Sequence, residues 1–272
     1  MRRRTFVCTG LSVLGIIPIL GMFGCSDQSS SSNSSDDSGY NLVEDGKLTM
    51  ISNFYCPPFV FMDDQTGDYK GFDVDLYKNI CDKLGLEPNI LPSVQFDTVI
   101  PTIHQGGKAD VSIGAITITD ERLKQVDFSD PYMNSNQAIV VPVSAGDVSA
   151  EDLNVVGTQV SVQSGTTGEE WAQENLPNAT IVPLSDPIEC FNGIQSNLYA
   201  ACIYDLPVAE YEINIGYSTL HISQEIPTGE QYGIVVSKDS PKLTEAINQT
   251  LKDLKDDDTI DDLEVQWFGT NI

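Results

Sequence analysis

From residue 48 onward the chain alternates short, β-branched apolar runs with longer amphipathic stretches that stop at glycine, and this alternation constrains the fold most. Residues 48–52 read as a strand. Residues 73–84 place Leu76, Tyr77, Ile80, Cys81 and Leu84 near helical spacing, and Gly85 stops them. Residues 96–105 read as a second helix closed by Gly106 and Gly107, and 109–115 as a short strand. Further strands are expected at 138–143, 160–163, 199–204 and 233–237, and further helices at 167–175, 188–195, 241–255 and 259–268. Strands alternating with helices of this length predict an α/β fold with mostly parallel sheets. No internal repeat is present. The β-branched runs at 138–143 and 233–237 are each placed to carry the chain between two lobes, the first lobe being built from both chain ends.

The first fifty residues have another character. Arg2, Arg3 and Arg4 precede an apolar stretch from Phe6 to Phe23, and Cys25 and a Ser/Asn/Asp tract follow. This is the pattern of a secretory signal. An uncleaved anchor is the alternative, since the stretch is close to the roughly 17 residues that span a bilayer. Met22-Phe23-Gly24-Cys25 resembles a bacterial lipobox, which selects residues 1–24 as a lipoprotein signal peptide and Cys25 as the lipidated residue, although Phe23 is larger than the residue usual there. Residues 25–45 are expected to be a flexible tether, because the tract lacks the apolar groups that offset ordering entropy.

Net charge is −26, and loss of residues 1–24 removes three Arg and no acid, so the mature chain carries −29. Such a chain repels nucleic acid. Cys56, Cys81, Cys190 and Cys202 show no CxxC or Cys-His spacing, so no metal site is expected. Export permits a Cys190–Cys202 disulfide, but buried free thiols are the expected state.

Four local patterns carry chemistry. In the first, residues 114–122, a buried strand ends in Gly114 and Ala115, Thr117 follows, and Thr119 opens a helix containing Arg122. Small residues leave backbone N–H groups open, Thr117 adds a hydroxyl, and Arg122 presents a fork matched to a carboxylate. Pairing of Arg122 with Asp120 or Asp127 is the structural alternative. In the second, Gln163-Ser-Gly-Thr-Thr167 precedes an acidic helix; the exposed N–H groups of a helix start suit an anion, or the segment is an ordinary capped turn. In the third, Tyr204-Asp205 ends an apolar strand, where an acid either pairs with an ammonium or caps the next helix. In the fourth, residues 53–59 and 71–76 bring Asn53, Tyr55, Cys56, Phe59 and Phe72 to a strand end, as pocket walls or as core edge. Together they complement a free α-amino acid.

The ordered series GFDVDL, AITITDER, DFSDPY, QSGTTGE, YD, QYGIVVSKDS and WFGT, covering about residues 48–270, resembles the polar amino-acid-binding proteins of ABC importers, the bacterial extracellular solute-binding proteins of family 3. It is most similar to the glutamine- and histidine-binding members. The resemblance implies a periplasmic-binding-protein-like α/β fold of two lobes with two hinge strands, residues 46–137 and 231–272 forming lobe 1 and 138–230 lobe 2. It implies capture of a free amino acid and delivery to permease subunits, with no chemistry, cofactor or metal. It also implies an extracytoplasmic monomer, held at the membrane by lipid on Cys25.

By the same resemblance, Arg122 and Thr117 hold the α-carboxylate, Gly114 and Ala115 supply backbone contacts, Thr166 and Thr167 close over the carboxylate, Asp205 pairs with the ammonium, and Phe72 lines the pocket. Relatives usually have a stacking aromatic at the position of Cys56, which Tyr55 replaces only if the loop shifts, and often Asp at that of Asn53. With Asn53, Gln163 and Tyr204 all uncharged, a neutral polar ligand such as glutamine is expected. Cystine is second, and a basic ligand requires help from Asp63, Asp64 or Asp68. The competing readings are a cleft enzyme of this fold, similar to cyclohexadienyl dehydratases, and a ligand-sensing module. His104 and His221 are expected at the surface, which leaves an enzyme only Asp205 or Glu121 as a proton-transfer group.

Overall fold

The computed structural model describes residues 39–270. The signal segment, Cys8, Cys25 and most of the tether lie outside the described residues. In chain order the elements are β1 (Lys47–Ile51), β2 (Tyr55–Cys56), β3 (Val60–Met62), β4 (Tyr69–Lys70), α1 (Phe72–Leu84), β5 (Glu87–Ile90), α2 (Val99–Gln105), β6 (Val111–Ser112), α3 (Asp120–Leu123), β7 (Asp127–Phe128) and β8 (Met133–Pro142). They continue as α4 (Ala150–Leu153), β9 (Gln159–Gln163), α5 (Thr167–Asn175), β10 (Thr180–Leu184), α6 (Pro187–Gln195), β11 (Ala201–Asp205), α7 (Leu206–Ile215), β12 (Leu220–Tyr232), β13 (Val235–Val236), α8 (Pro241–Asp256) and α9 (Thr259–Phe268).

Two five-stranded sheets organise the molecule. The first runs β5-β1-β6-β13-β7, with β5, β1 and β6 parallel and β13 antiparallel to both neighbours. The second runs β10-β9-β11-β8-β12, with β10, β9 and β11 parallel and β8 and β12 antiparallel. Strand β1 is buried along nearly all its length, as expected of a parallel strand covered by helices on both faces. The long antiparallel pair β8 and β12 connects the two sheets, because β7 precedes one and β13 follows the other in the first sheet. This is a two-lobe α/β fold.

The crossings differ from those expected. The run at 138–143 lies within the second sheet, and Val235–Val236 pairs inside the first. The chain crosses at 133–136 and at the end of β12, through residues such as exposed Asn134 and Gln231. A β-branched run signals burial in some sheet, whereas a connecting pair is wet on its flanks and reads as polar. The end of the tether is likewise held: Val43 N–H donates to Asp110 Oδ1 at 2.7 Å, Ser240 Oγ to the Asn41 carbonyl at 3.2 Å, and Leu42 packs on the core. The strand expected at 109–115 is only Val111–Ser112, because Gly114 (φ 155°) and Ala115 (φ 51°) leave the extended region. The helix expected at 96–105 starts as a 3-10 turn over Phe96–Thr98. Cys81, Cys190 and Cys202 are buried free thiols and Cys56 a half-buried one. No helix among the described residues is long and apolar enough to cross a membrane.

Candidate functional site

The carboxyl ends of β1, β6, β9 and β11 face one another across the cleft between the sheets, where open α/β sheets bind ligands. The cleft is lined by Asn53, Cys56, Gly114, Ala115, Thr117, Arg122, Gln163, Thr166, Thr167, Tyr204 and Asp205, together with Phe96 and Ile203, which sequence reasoning missed. Ile203 precedes Tyr204 on the same strand. Phe96 gave no signal beyond its aromatic ring.

Arg122 is fixed by its helix. Thr119 caps α3 by accepting the Arg122 N–H, as expected of a threonine at that position. Arg122 is 8% exposed, and its guanidinium lies 5.5 Å from the Phe96 ring centre. Nη1 donates to the Thr117 carbonyl at 2.7 Å and Nη2 to the Gly165 carbonyl at 3.1 Å. Neither Asp120 nor Asp127 pairs with it, and no carboxylate among the described residues is within ion-pair distance. Burial pulls its pKa down, and the charges of Glu170, Asp205 and Glu230 oppose that shift. A buried cation without an ion-pair partner is costly unless an anion arrives.

Two parts of the 114–122 reading change. The Ala115 N–H is not open, since it donates to Asp73 Oδ2 at 2.8 Å, and the Ile118 N–H donates to the Gln231 carbonyl. The Thr117 hydroxyl donates to Glu230 at 2.9 Å. Gly114 is required sterically, because a Cβ there would lie 2.4 Å from Ser52 Oγ. Asp73 is fully buried, and burial raises its pKa to about 7 against hydrogen bonds from Ala115 and Tyr132.

On the opposite wall Thr166 caps α5 by accepting the Glu169 N–H, so the helix start faces the cleft. Asp205 stands at the N-terminus of α7 but makes no side-chain cap. Its carboxylate accepts instead from Gln137 Nε2 at 2.8 Å and from the Tyr232 hydroxyl. Burial, then the charge of Glu230, raises its pKa to about 6. At the far end a neutral relay runs from the Tyr204 hydroxyl to Gln163 Oε1 (3.2 Å), from Gln163 Nε2 to Asn53 Oδ1 (3.2 Å), and from Asn53 Nδ2 to the Val94 carbonyl (2.8 Å).

Three expected pocket residues are elsewhere. Phe59 and Phe72 are fully buried in an aromatic cluster with Tyr132, Tyr232 and Phe268, and Tyr55 is 41% exposed on the β2–β3 hairpin. Aromatic type marks an apolar neighbour, and Phe59 and Phe72 find it in the core. His104 is exposed, and His221 faces Asp147 at 3.8 Å. Glu121 is exposed and pairs with Lys124. Among the described residues no group of three or more His, Cys, Asp or Glu is placed to hold a metal ion.

The lobes meet in this structure. Beyond Arg122–Gly165 and Asn53–Gln163, Gly165 (φ 77°) lies so close to the first lobe that a Cβ would be 2.9 Å from Asp97 Cβ.

A family model, Bacterial extracellular solute-binding proteins, family 3, matches residues 48–270. The L-cystine-binding protein TcyJ of Escherichia coli K12 is 27% identical over 264 residues, covering 96% of each chain. An ancestral arginine-binding protein bound to glutamine is similar in structure at TM-score 0.77, with 38% identity over 83% of this chain and 99% of that one. The ancestral amino acid-binding protein AncCDT-1, a precursor of cyclohexadienyl dehydratase, gives TM-score 0.76 and 37% identity over 82% and 96% of the two chains.

Proposed function

Because the chain belongs to the bacterial extracellular solute-binding proteins, family 3, we propose that it captures a free amino acid between its lobes and delivers it, chemically unchanged, to the permease of an ABC importer. The observation that carries this is the buried Arg122 guanidinium, without an ion-pair partner, in the same cleft as the Asp205 carboxylate. A guanidinium has five N–H donors. Two go to backbone carbonyls, and the remainder grip the ligand carboxylate. Asp205 takes the ammonium. The N–H groups that open α5 add to the carboxylate side. The bounds expected above, 46–137 with 231–272 and 138–230, shift slightly with the crossings, so that lobe 1 runs to the crossing at 133–136 and resumes after β12, lobe 2 lies between, and the lobes close by a hinge motion.

The ligand side chain meets the relay of Asn53, Gln163 and Tyr204, all neutral, which favours a neutral polar amino acid such as glutamine, since an unpaired buried charge is heavily penalised. Asp63, considered above as a rescue for a basic ligand, is tied to Lys70 at 2.6 Å, and neither Asp64 nor Asp68 lines the cleft. Cys56 puts a smaller side chain in the cleft wall than an aromatic would, and the likeness to an L-cystine-binding protein favours cystine as the second reading. The protein acts outside the cytoplasm as a monomer, anchored by lipid on Cys25.

Competition among the common amino acids and cystine, followed by calorimetry, tests the ligand class. Glutamine is expected to bind most tightly, and tightest binding of arginine or lysine would overturn the neutral class. Recovery of a chemically altered ligand would overturn the binding-only reading in favour of a cleft enzyme.

A further inference from the structure

Glu230 is near the end of β12, just before the chain returns to the first lobe. The β8–β12 register breaks between Ile226 and Glu230, and Gly229 takes φ 66°. Such irregularities re-aim a side chain. Here the carboxylate is turned to two threonines that line the cleft, and its Oε2 accepts from the Thr117 hydroxyl of one lobe and the Thr167 hydroxyl of the other, each at 2.9 Å. Gln137 Nε2, on the other connecting strand, approaches both carboxylate oxygens at 3.2–3.3 Å. A carboxylate oxygen has about two acceptor positions, so Oε2 accommodates the two threonine hydroxyls.

A threonine hydroxyl has one proton. Both protons are committed to Glu230, although these threonines match family positions that face the ligand carboxylate. A ligand carboxylate is also only an acceptor and competes for the same donors. We propose that Glu230 is a closure latch, a positioning residue that holds Thr117 and Thr167 across the hinge and favours the closed cleft, while the ligand carboxylate is left to Arg122 and the N–H groups at the start of α5. When the lobes separate, one oxygen no longer spans both threonines, so the pair of bonds exists only on closure. Apparent affinity is intrinsic affinity reduced by the fraction of molecules that are binding-competent, so a latch tightens binding without touching the ligand.

The affinity arm rests on the proposed function; the exchange arm does not. The mature lipid-anchored protein in detergent serves for both. Without ligand, Glu230→Ala is expected to speed hydrogen–deuterium exchange in residues 163–168 while leaving the sheet cores unchanged. With the amino acid that binds most tightly in the competition panel, Glu230→Ala and Thr117→Val are each expected to weaken binding about tenfold, the magnitude of a hydrogen bond to a charged group. The double variant should bind no more weakly than Glu230→Ala alone. If Thr117 holds the ligand directly, Thr117→Val costs the same factor in both backgrounds, and the latch is refuted. Unchanged exchange, or Glu230→Ala binding within twofold of the parent or more tightly, also refutes it. Should Glu230→Ala not fold, the near-isosteric Thr167→Val replaces it in both arms with the same expectations. A parent protein that binds no amino acid refutes the proposed function, and the exchange arm still reads the latch.

Discussion

Arg122→Ala separates ligand recognition from folding. Arg122 is 8% exposed, so water replaces its guanidinium poorly once the ligand carboxylate is enclosed. Truncating one partner of a desolvated charge pair costs about 2–5 kcal/mol, which is roughly a 30- to 5,000-fold loss of affinity. The fold has compensating terms. The Thr117 and Gly165 carbonyls lose their donors, at about 1–3 kcal/mol each if they stay dry. Relief from burying a cation without an ion-pair partner offsets several kcal/mol. The variant is therefore expected to unfold, without ligand, within a few degrees of the parent while binding is nearly abolished in calorimetry. Arg122→Lys keeps the charge and loses the planar fork, so its affinity should fall between the two. Binding of Arg122→Ala within threefold of the parent would refute the carboxylate clamp. A collapse of the melting transition would show that Arg122 serves the fold first.

Asp205 links binding to pH. Burial and Glu230 raise its pKa to about 6, and an ammonium partner needs the ionised form, so affinity should fall as pH drops below 6, by up to about tenfold per unit. The bound ammonium lowers that pKa, so ligand uptake near pH 6 should release protons, read by calorimetry in buffers of different ionisation enthalpy; affinity constant from pH 7 to 5 would contradict it. Gly165→Ala places a Cβ 2.9 Å from Asp97 Cβ at φ 77°, so closure should be obstructed and binding weakened at least about tenfold, with a smaller loss of ligand-free stability. Binding equal to the parent would show that the lobes need not approach this closely. Mass spectrometry of the exported protein is expected to find a mature N-terminus at a lipidated Cys25 carrying at least two acyl chains, since one chain anchors only weakly.

The sequence by itself determined the elements whose signals are local. Gly85 ends α1, Thr119 caps α3, Thr166 caps α5, and the terminal helices expected at 241–255 and 259–268 form at Pro241–Asp256 and Thr259–Phe268. The order of motifs also fixed which segments converge on the cleft, and Asn53, Arg122, Gln163 and Asp205 all line it. Elements whose stability is not local were illegible. Strands β5 and β10 contain Pro88 and Pro183, which break a strand pattern but are tolerated at the sheet edges these strands occupy. Helix α7 was hidden behind its opening Leu206-Pro207. Strand β12 is largely polar over thirteen residues and becomes a strand only by pairing with β8. Only the tertiary structure decided the direction of each side chain. It sent Phe59 and Phe72 into the core, committed the Ala115 N–H to Asp73, and brought Gln137 and Glu230 from the connecting strands into hydrogen bonds with residues that line the cleft. Spacing along a chain specifies which residues share a face of one element. Contacts between residues 117, 167 and 230 exist only because two sheets and a hinge set them at one point, and no local pattern encodes that convergence.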